Sequence, residues 1–307
     1  MRNEMIRTLE GLAEVDPNVM LLTGDLGFGV LTRFSERFPR QYVNAGVAEQ
    51  NMTGLAVGMA LEGKTVFTYS IGNFPTLRCL EQIRNDACYH NANVKIVCVG
   101  GGFTYGSLGI SHHATEDLAI LRALPDITVI APGDPVEAAA ATRAVYDTPG
   151  TCYLRLGRGG EPRVHPGPID FRIGKAIRLF EGEDVAILST GGILKVACTA
   201  REKLEASGRR TGLFSVHTVK PIDRELVMEL AATVRLIVTL EEHTVIGGLG
   251  GAVAEIVAQR SGPKADLEVI GLRDCFSSVV GDQEYLRSVY GLTADEVVSR
   301  VGARMIF

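Results

Sequence analysis

Asn44-Ala45-Gly46-Val47-Ala48-Glu49-Gln50-Asn51-Met52 is the stretch on which the reading of this chain turns. Residues 41–43 lead into it like the end of a strand. A helix follows, whose apolar and small positions include Met52, Leu55, Ala56, Met59 and Ala60. Glu49 therefore stands at a strand-to-helix junction. The glycine and alanines beside it let another molecule come close to the backbone. Two readings fit a carboxylate there. Either it supports the first helical turn, where negative charge is favoured, or it faces a bound group.

Outward from this stretch, short apolar runs alternate with helical ones. Residues 18–22, 64–69, 94–99, 126–131 and 152–159 read as strands. That alternation predicts an α/β fold with a parallel, doubly wound sheet. Glu161-Pro162-Arg163-Val164-His165-Pro166-Gly167-Pro168 reads as a linker, because three prolines in a polar run break regular structure. His165 is expected to be exposed there. Beyond it the pattern repeats, with strands at 184–190, 211–215, 236–240 and 268–272. The expectation is two doubly wound domains with mostly parallel sheets, at 1–165 and 169–307.

Composition narrows the class. The 307 residues are 46% hydrophobic and 22% charged, enough apolar material for sizeable cores. A net charge of −5 without a long basic run argues against nucleic acid and anionic membranes as partners. There is no apolar stretch of membrane-spanning length and no signal-peptide core near Met1, so a cytoplasmic location is expected. Six cysteines lack CxxC spacing and read as free thiols. His112-His113 is no convincing metal pair, since neighbours point to different sides and further ligands lack obvious spacing.

Gly46-Val47-Ala48-Glu49-Gln50 resembles the glutamate motif of thiamine-diphosphate enzymes in the transketolase and deoxyxylulose-phosphate-synthase group. The resemblance is strongest to the pyrimidine-binding half of transketolase, including the form made as a separate short chain. It covers essentially the whole sequence. In that family the glutamate bonds N1′ of the aminopyrimidine and favours its imino tautomer. That tautomer presents a base to the thiazolium C2–H. The resemblance thus implies thiamine diphosphate as cofactor and Glu49 as its activating group.

Other positions carry over residue by residue. Asp25, in Gly24-Asp25-Leu26-Gly27, matches an Asp-Leu pair near the thiazolium, although a turn or helix cap is aspartate's commonest local role. Phe74, ahead of Leu80-Glu81-Gln82-Ile83-Arg84-Asn85-Asp86, matches the aromatic that stacks on the pyrimidine, although position alone favours a core residue. Counted from Glu116, His112 takes the place of the substrate-contacting histidine and His113 that of a glutamine. Arg155 or Arg158 matches an arginine that binds sugar phosphate. Glu241-Glu242-His243 is shared with the family's C-terminal domain, where it serves assembly and domain contacts.

Two departures stand out. Transketolases carry His-Asp near Gly100-Gly101 and Gly-Glu-Asp-Gly where Gly106-Ser107-Leu108-Gly109 stands. Loss of those polar groups implies a substrate other than the standard pentose phosphates, or compensation by neighbours. The family's Mg²⁺-diphosphate motif is also missing, so no metal ligands are expected from this chain. The implied enzyme is a two-chain transketolase. A separate chain supplies the diphosphate domain and Mg²⁺, the assembly is α2β2, and a two-carbon ketol unit passes from a ketose to an aldehyde. The rival readings are a deoxyxylulose-phosphate-synthase-like or 2-oxo acid dehydrogenase β-type subunit, and a non-catalytic regulatory subunit.

Overall fold

The structure is a computed structural model that describes residues 1–262 and 264–305. The end of the expected second unit, 306–307, lies outside the described residues. The chain builds two sheets. Its strands are β1 (Val19–Thr23), β2 (Tyr42–Asn44), β3 (Thr65–Ile71), β4 (Val94–Val99), β5 (Ile127–Ile130), β6 (Thr151–Leu156), β7 (Ile177–Phe180), β8 (Val185–Thr190), β9 (Thr211–Ser215), β10 (Thr218–Lys220), β11 (Leu236–Thr244) and β12 (Asp266–Leu272).

The first sheet runs β10-β5-β6-β4-β3-β1-β2, parallel except for β10. Its inner strands β1, β4 and β6 are buried along their whole length, as a parallel sheet covered on both faces requires. Helices Arg2–Val15 and Pro135–Asp147 cover one face, around Met5, Leu9, Phe34, Ala138 and Val145. Helix Glu49–Leu61 and the helical segment 77–88 cover the other, around Met52, Ala56, Ile83 and Ala87. The chain moves from β1 outward to β2, then crosses to β3 and on to β4. The order reverses between β1 and β3, and doubly wound sheets bind ligands outside the carboxyl ends of such strands.

The second sheet runs β12-β11-β8-β9-β7, with only β7 antiparallel. Three features differ from the sequence reading. β10 lies beyond the linker in sequence yet pairs with β5, so the second half of the chain contributes an edge to the first sheet. The segment after Phe74 is not one α-helix. It passes from a 3₁₀ turn (Leu77–Cys79) through one α turn (Leu80–Gln82) into a π-helix (Ile83–Cys88). His165 is buried rather than exposed, because Asp134 and Glu137 at the start of helix Pro135–Asp147 flank its ring.

Candidate active site

Four loops meet at the carboxyl ends of β1, β2, β3 and β4, which are neighbours in the sheet. Glu49 opens helix Glu49–Leu61 and is 3% exposed. Its side chain makes no capping hydrogen bond. Instead Arg78 Nη1 donates to Glu49 Oε2 at 2.7 Å. Glu49 Oε1 makes no hydrogen bond among the described residues. The carboxylate can pack here because the end of β1 lacks a side chain. A Cβ on Gly24 would lie 3.4 Å from Glu49 Cγ and 3.3 Å from Gly46 O.

Phe74 follows β3 and the turn at Gly72, whose φ of 48° lies in the left-handed region. Arg78 Cζ lies 4.6 Å from the Phe74 ring centroid, and the His112 ring meets Phe74 edge-on at 5.1 Å. Cys79 Sγ donates to Phe74 O at 3.2 Å and pins this turn. Burial, reinforced by the Glu49 charge and partly offset by Thr53 and Arg78, pushes the Cys79 thiol up. Arg78 thus links the buried carboxylate and the aromatic ring. The sequence reading missed it. No local spacing gives it away, because its contact with Glu49 joins loops 29 residues apart.

His112 and His113 do point apart. His112 is half-buried beside Phe74, and Ser111 Oγ lies 3.0 Å from its Nδ1. Burial and then the neighbouring His113 push its ring below the ordinary imidazole value. His113 is buried between Ser277 Oγ and Gly106 O, and stacks edge-on against Phe103 at 5.3 Å. Asp25 occupies an exposed turn with φ 56°, and exchanges hydrogen bonds with Asn44 through its N–H (3.0 Å) and carboxylate (2.9 Å). It is a turn residue, held at the mouth beside Glu49's own loop.

The two arginines differ. Arg155 is a buried structural group. Its Nε donates to Asp117 Oδ2 at 2.8 Å, and its Nη2 to Ala114 O and Glu242 O. Arg158 follows the end of β6 and is exposed. The Gly100-Gly101 departure also has a local explanation. A Cβ on Gly100 would overlap the Tyr105 ring, and one on Gly101 would lie 2.7 Å from Arg155 Nε. Neighbouring side chains therefore fill the space where the family has larger residues. Glu241 and Glu242 are engaged internally. Glu241 accepts from Leu249 N and Gly250 N at the start of helix Leu249–Ala258. Glu242 accepts from Phe103 N, Gln283 and Arg287, tying the first sheet's loop to the second half of the chain.

A buried carboxylate with one free oxygen, an aromatic face and open backbone beside Gly46 form a set of groups that fits a flat aminopyrimidine. Two family models cover the chain: "Transketolase, pyrimidine binding domain" over residues 1–161 and "Transketolase, C-terminal domain" over residues 174–297. The chain belongs to the transketolase family. It is 37% identical over 299 residues to a 6-deoxy-6-sulfo-D-fructose transketolase subunit of Clostridium sp. (strain MSTE9), covering 97% of this chain and 92% of that protein. It is 34% identical to 1-deoxy-D-xylulose-5-phosphate synthase of Thiobacillus denitrificans over 96% of this chain, but only 47% of that protein. Among solved structures it resembles one described as a split gene transketolase, inactive β4 tetramer. The match has a TM-score of 0.89, 37% identity, and 98% and 96% coverage of the two chains.

Proposed function

We propose that this chain is the pyrimidine-binding subunit of a two-chain transketolase, and that Glu49 is the residue through which it activates thiamine diphosphate. The observation that carries this reading is the buried Glu49 carboxylate, fixed by Arg78 on one oxygen and open on the other. When bound, the cofactor supplies the electron sink for breaking and making a carbon–carbon bond. Glu49 Oε1 would be the acceptor for the bound pyrimidine, and its low-dielectric surroundings would strengthen that contact. Phe74 offers its ring to the pyrimidine face.

His112 borders this pocket with a depressed imidazole pKa, so its ring is neutral at pH 7. A neutral ring nitrogen can take the proton of a donor hydroxyl and return it. Asp25 stands at the mouth, and exposed Arg158 contacts the acidic end of the substrate. Arg155, occupied by Asp117, keeps the loop below in place.

The partner is a chain carrying the diphosphate domain and the Mg²⁺ ligands, in an α2β2 assembly. Support comes from the resemblance to separately encoded subunits over nearly their whole lengths. The substrate is a ketose with an acidic end, like the sulfonated sugar in the Clostridium relative's name.

Glu49→Gln tests the assignment. With the diphosphate-binding chain present, kcat should fall by about 100-fold or more, the span typical of removing a proton-transfer device. The circular dichroism spectrum should stay unchanged. Full turnover by the variant would instead support a non-catalytic, regulatory subunit.

A further inference from the structure

We infer that His113 and Ser277 are positioning residues, through which the second half of the chain sets the place of His112 beside Phe74. The importance of that place for turnover rests on the function proposed above. The contacts themselves lie wholly on this chain.

His112 belongs to a loop closed at its base by a backbone pair. Gly102 N donates to Ala114 O at 2.8 Å, and Ala114 N to Gly102 O at 3.1 Å. Within that loop, one residue beyond His112, the His113 ring is fully buried. Its Nε2 lies 3.0 Å from Gly106 O, a carbonyl that can only accept. The ring proton therefore belongs on Nε2, and in the neutral ring Nδ1 accepts from the buried Ser277 hydroxyl. Both ring nitrogens are committed, one to the loop itself and one to the second half of the chain. Further contacts grip the loop from the same side. Phe103, against which His113 packs, stacks on Tyr290 at 5.3 Å. Gln283 Nε2 donates to Thr104 Oγ1 at 3.4 Å. Gly106 passes so close to helix Gln283–Val289 that a Cβ there would lie 2.5 Å from Leu286 Cδ1.

The other side of the loop faces the candidate site. Asn73 Nδ2, next to Phe74, donates to His113 O at 3.0 Å and to Ser111 O at 3.4 Å. His112 O lies against the turn at Gly72, where a Cβ would be only 3.2 Å away. The backbone of residues 111–113 is thus held between Ser277 on one side and the Phe74 turn on the other. Fixed in this way, the His112 ring meets Phe74 edge-on at 5.1 Å and Tyr105 at 6.4 Å. Misplacing a reacting group by about 1 Å can cost about 100-fold in rate. A purely structural reading makes His113 a satisfied core histidine. It accounts for the burial of the ring, but not for the serine that meets it. Phe276 and Ser278, on either side of Ser277, face solvent, and Ser277 alone turns inward to the ring.

Nuclear magnetic resonance of the purified full chain, with carbon-13 at the histidine ring Cε1, tests this without cofactor or partner. His112→Gln assigns the His112 signal by removing it. In wild type that signal should carry the ring-current shift of Phe74 and titrate below 6.5, as partial burial requires. Ser277→Ala is expected to move the signal toward that of a free histidine and to raise its midpoint toward 6.5. Ser277 lies in an otherwise exposed segment, so this variant should fold, which thermal melting would check. His113→Gln keeps an amide that can donate to Gly106 O and accept from Ser277. It should hold the high-pH signal of His112 near its wild-type position. An unchanged His112 signal and midpoint in Ser277→Ala would overturn the inference and leave His113 a core residue. A His112 signal displaced as far in His113→Gln as in Ser277→Ala would overturn it too, because the two contacts would then not be what holds the ring. Neither outcome depends on whether the proposed transketolase activity is found.

Discussion

Glu137 and His165 show how single side chains make the seam between the two halves of the chain sensitive to pH. His165 Nδ1 lies 3.2 Å from Asp134 Oδ2, and its Nε2 3.5 Å from Glu137 Oε1. Despite burial, the nearby His165 ring and hydrogen bonds from the N–H groups of Glu137, His165 and Val164 hold Asp134 down at about 2. Burial pushes Glu137 up to about 7, although Ser215, the Gly133 N–H and His165 pull the other way. Glu137 therefore binds its proton more tightly in the folded chain than its ordinary value of 4.5 allows. Its contribution to stability is present below pH 4.5 and is lost as pH rises to about 7. A shift of this size corresponds to on the order of 3 kcal/mol. Glu137→Gln lacks that loss. Thermal melts should show wild type losing ground to the variant between pH 4.5 and 7. Parallel melting curves would contradict it. The proline-rich sequence around His165 concealed this burial, because composition cannot show that Asp134, at the start of a distant helix, will accept the linker's N–H groups.

At the scale of elements, what the sequence made legible was what depends on apolar runs. The inner strands β1, β3, β4, β6, β8 and β9 are mostly apolar, almost wholly buried segments, and they form where such segments stand. β7 and β10 escaped because one alternates Ile-Arg-Leu-Phe at an edge and the other is three residues long. Glu49, Phe74 and His112 stand out only through the family resemblance, because position alone leaves Glu49 a possible helix-end charge and Phe74 a core residue. Arg78 does not, since its contact with Glu49 joins two loops 29 residues apart. The loop 100–106 illustrates how such turns are fixed. Gly102 has φ 63°, and a Cβ there would overlap the Glu242 carboxylate that accepts from Phe103 N. Gly102→Ala should destabilise the chain by about 2–4 kcal/mol through backbone strain and the displaced carboxylate. Urea denaturation measures this, and a wild-type midpoint would show that the loop accommodates the methyl group.

On the scale of the whole molecule, the chain is a transketolase-family module, and the function proposed above gives its pocket part of a cofactor to hold. On that proposal, Glu49, Phe74 and Arg78 would face a pyrimidine and His112 a substrate beyond it. Among the described residues no group of three or more His, Cys, Asp or Glu side chains is arranged to hold a metal ion. Magnesium favours oxygen ligands together with phosphate oxygens, and the proposed function has a second chain hold the diphosphate end. Calorimetric titration of thiamine diphosphate with Mg²⁺ tests this most directly, first into this chain alone and then into its mixture with the diphosphate-domain chain. The account predicts no appreciable binding to the chain alone and tight, magnesium-dependent binding to the mixture. Tight, magnesium-dependent binding by the lone chain would contradict it.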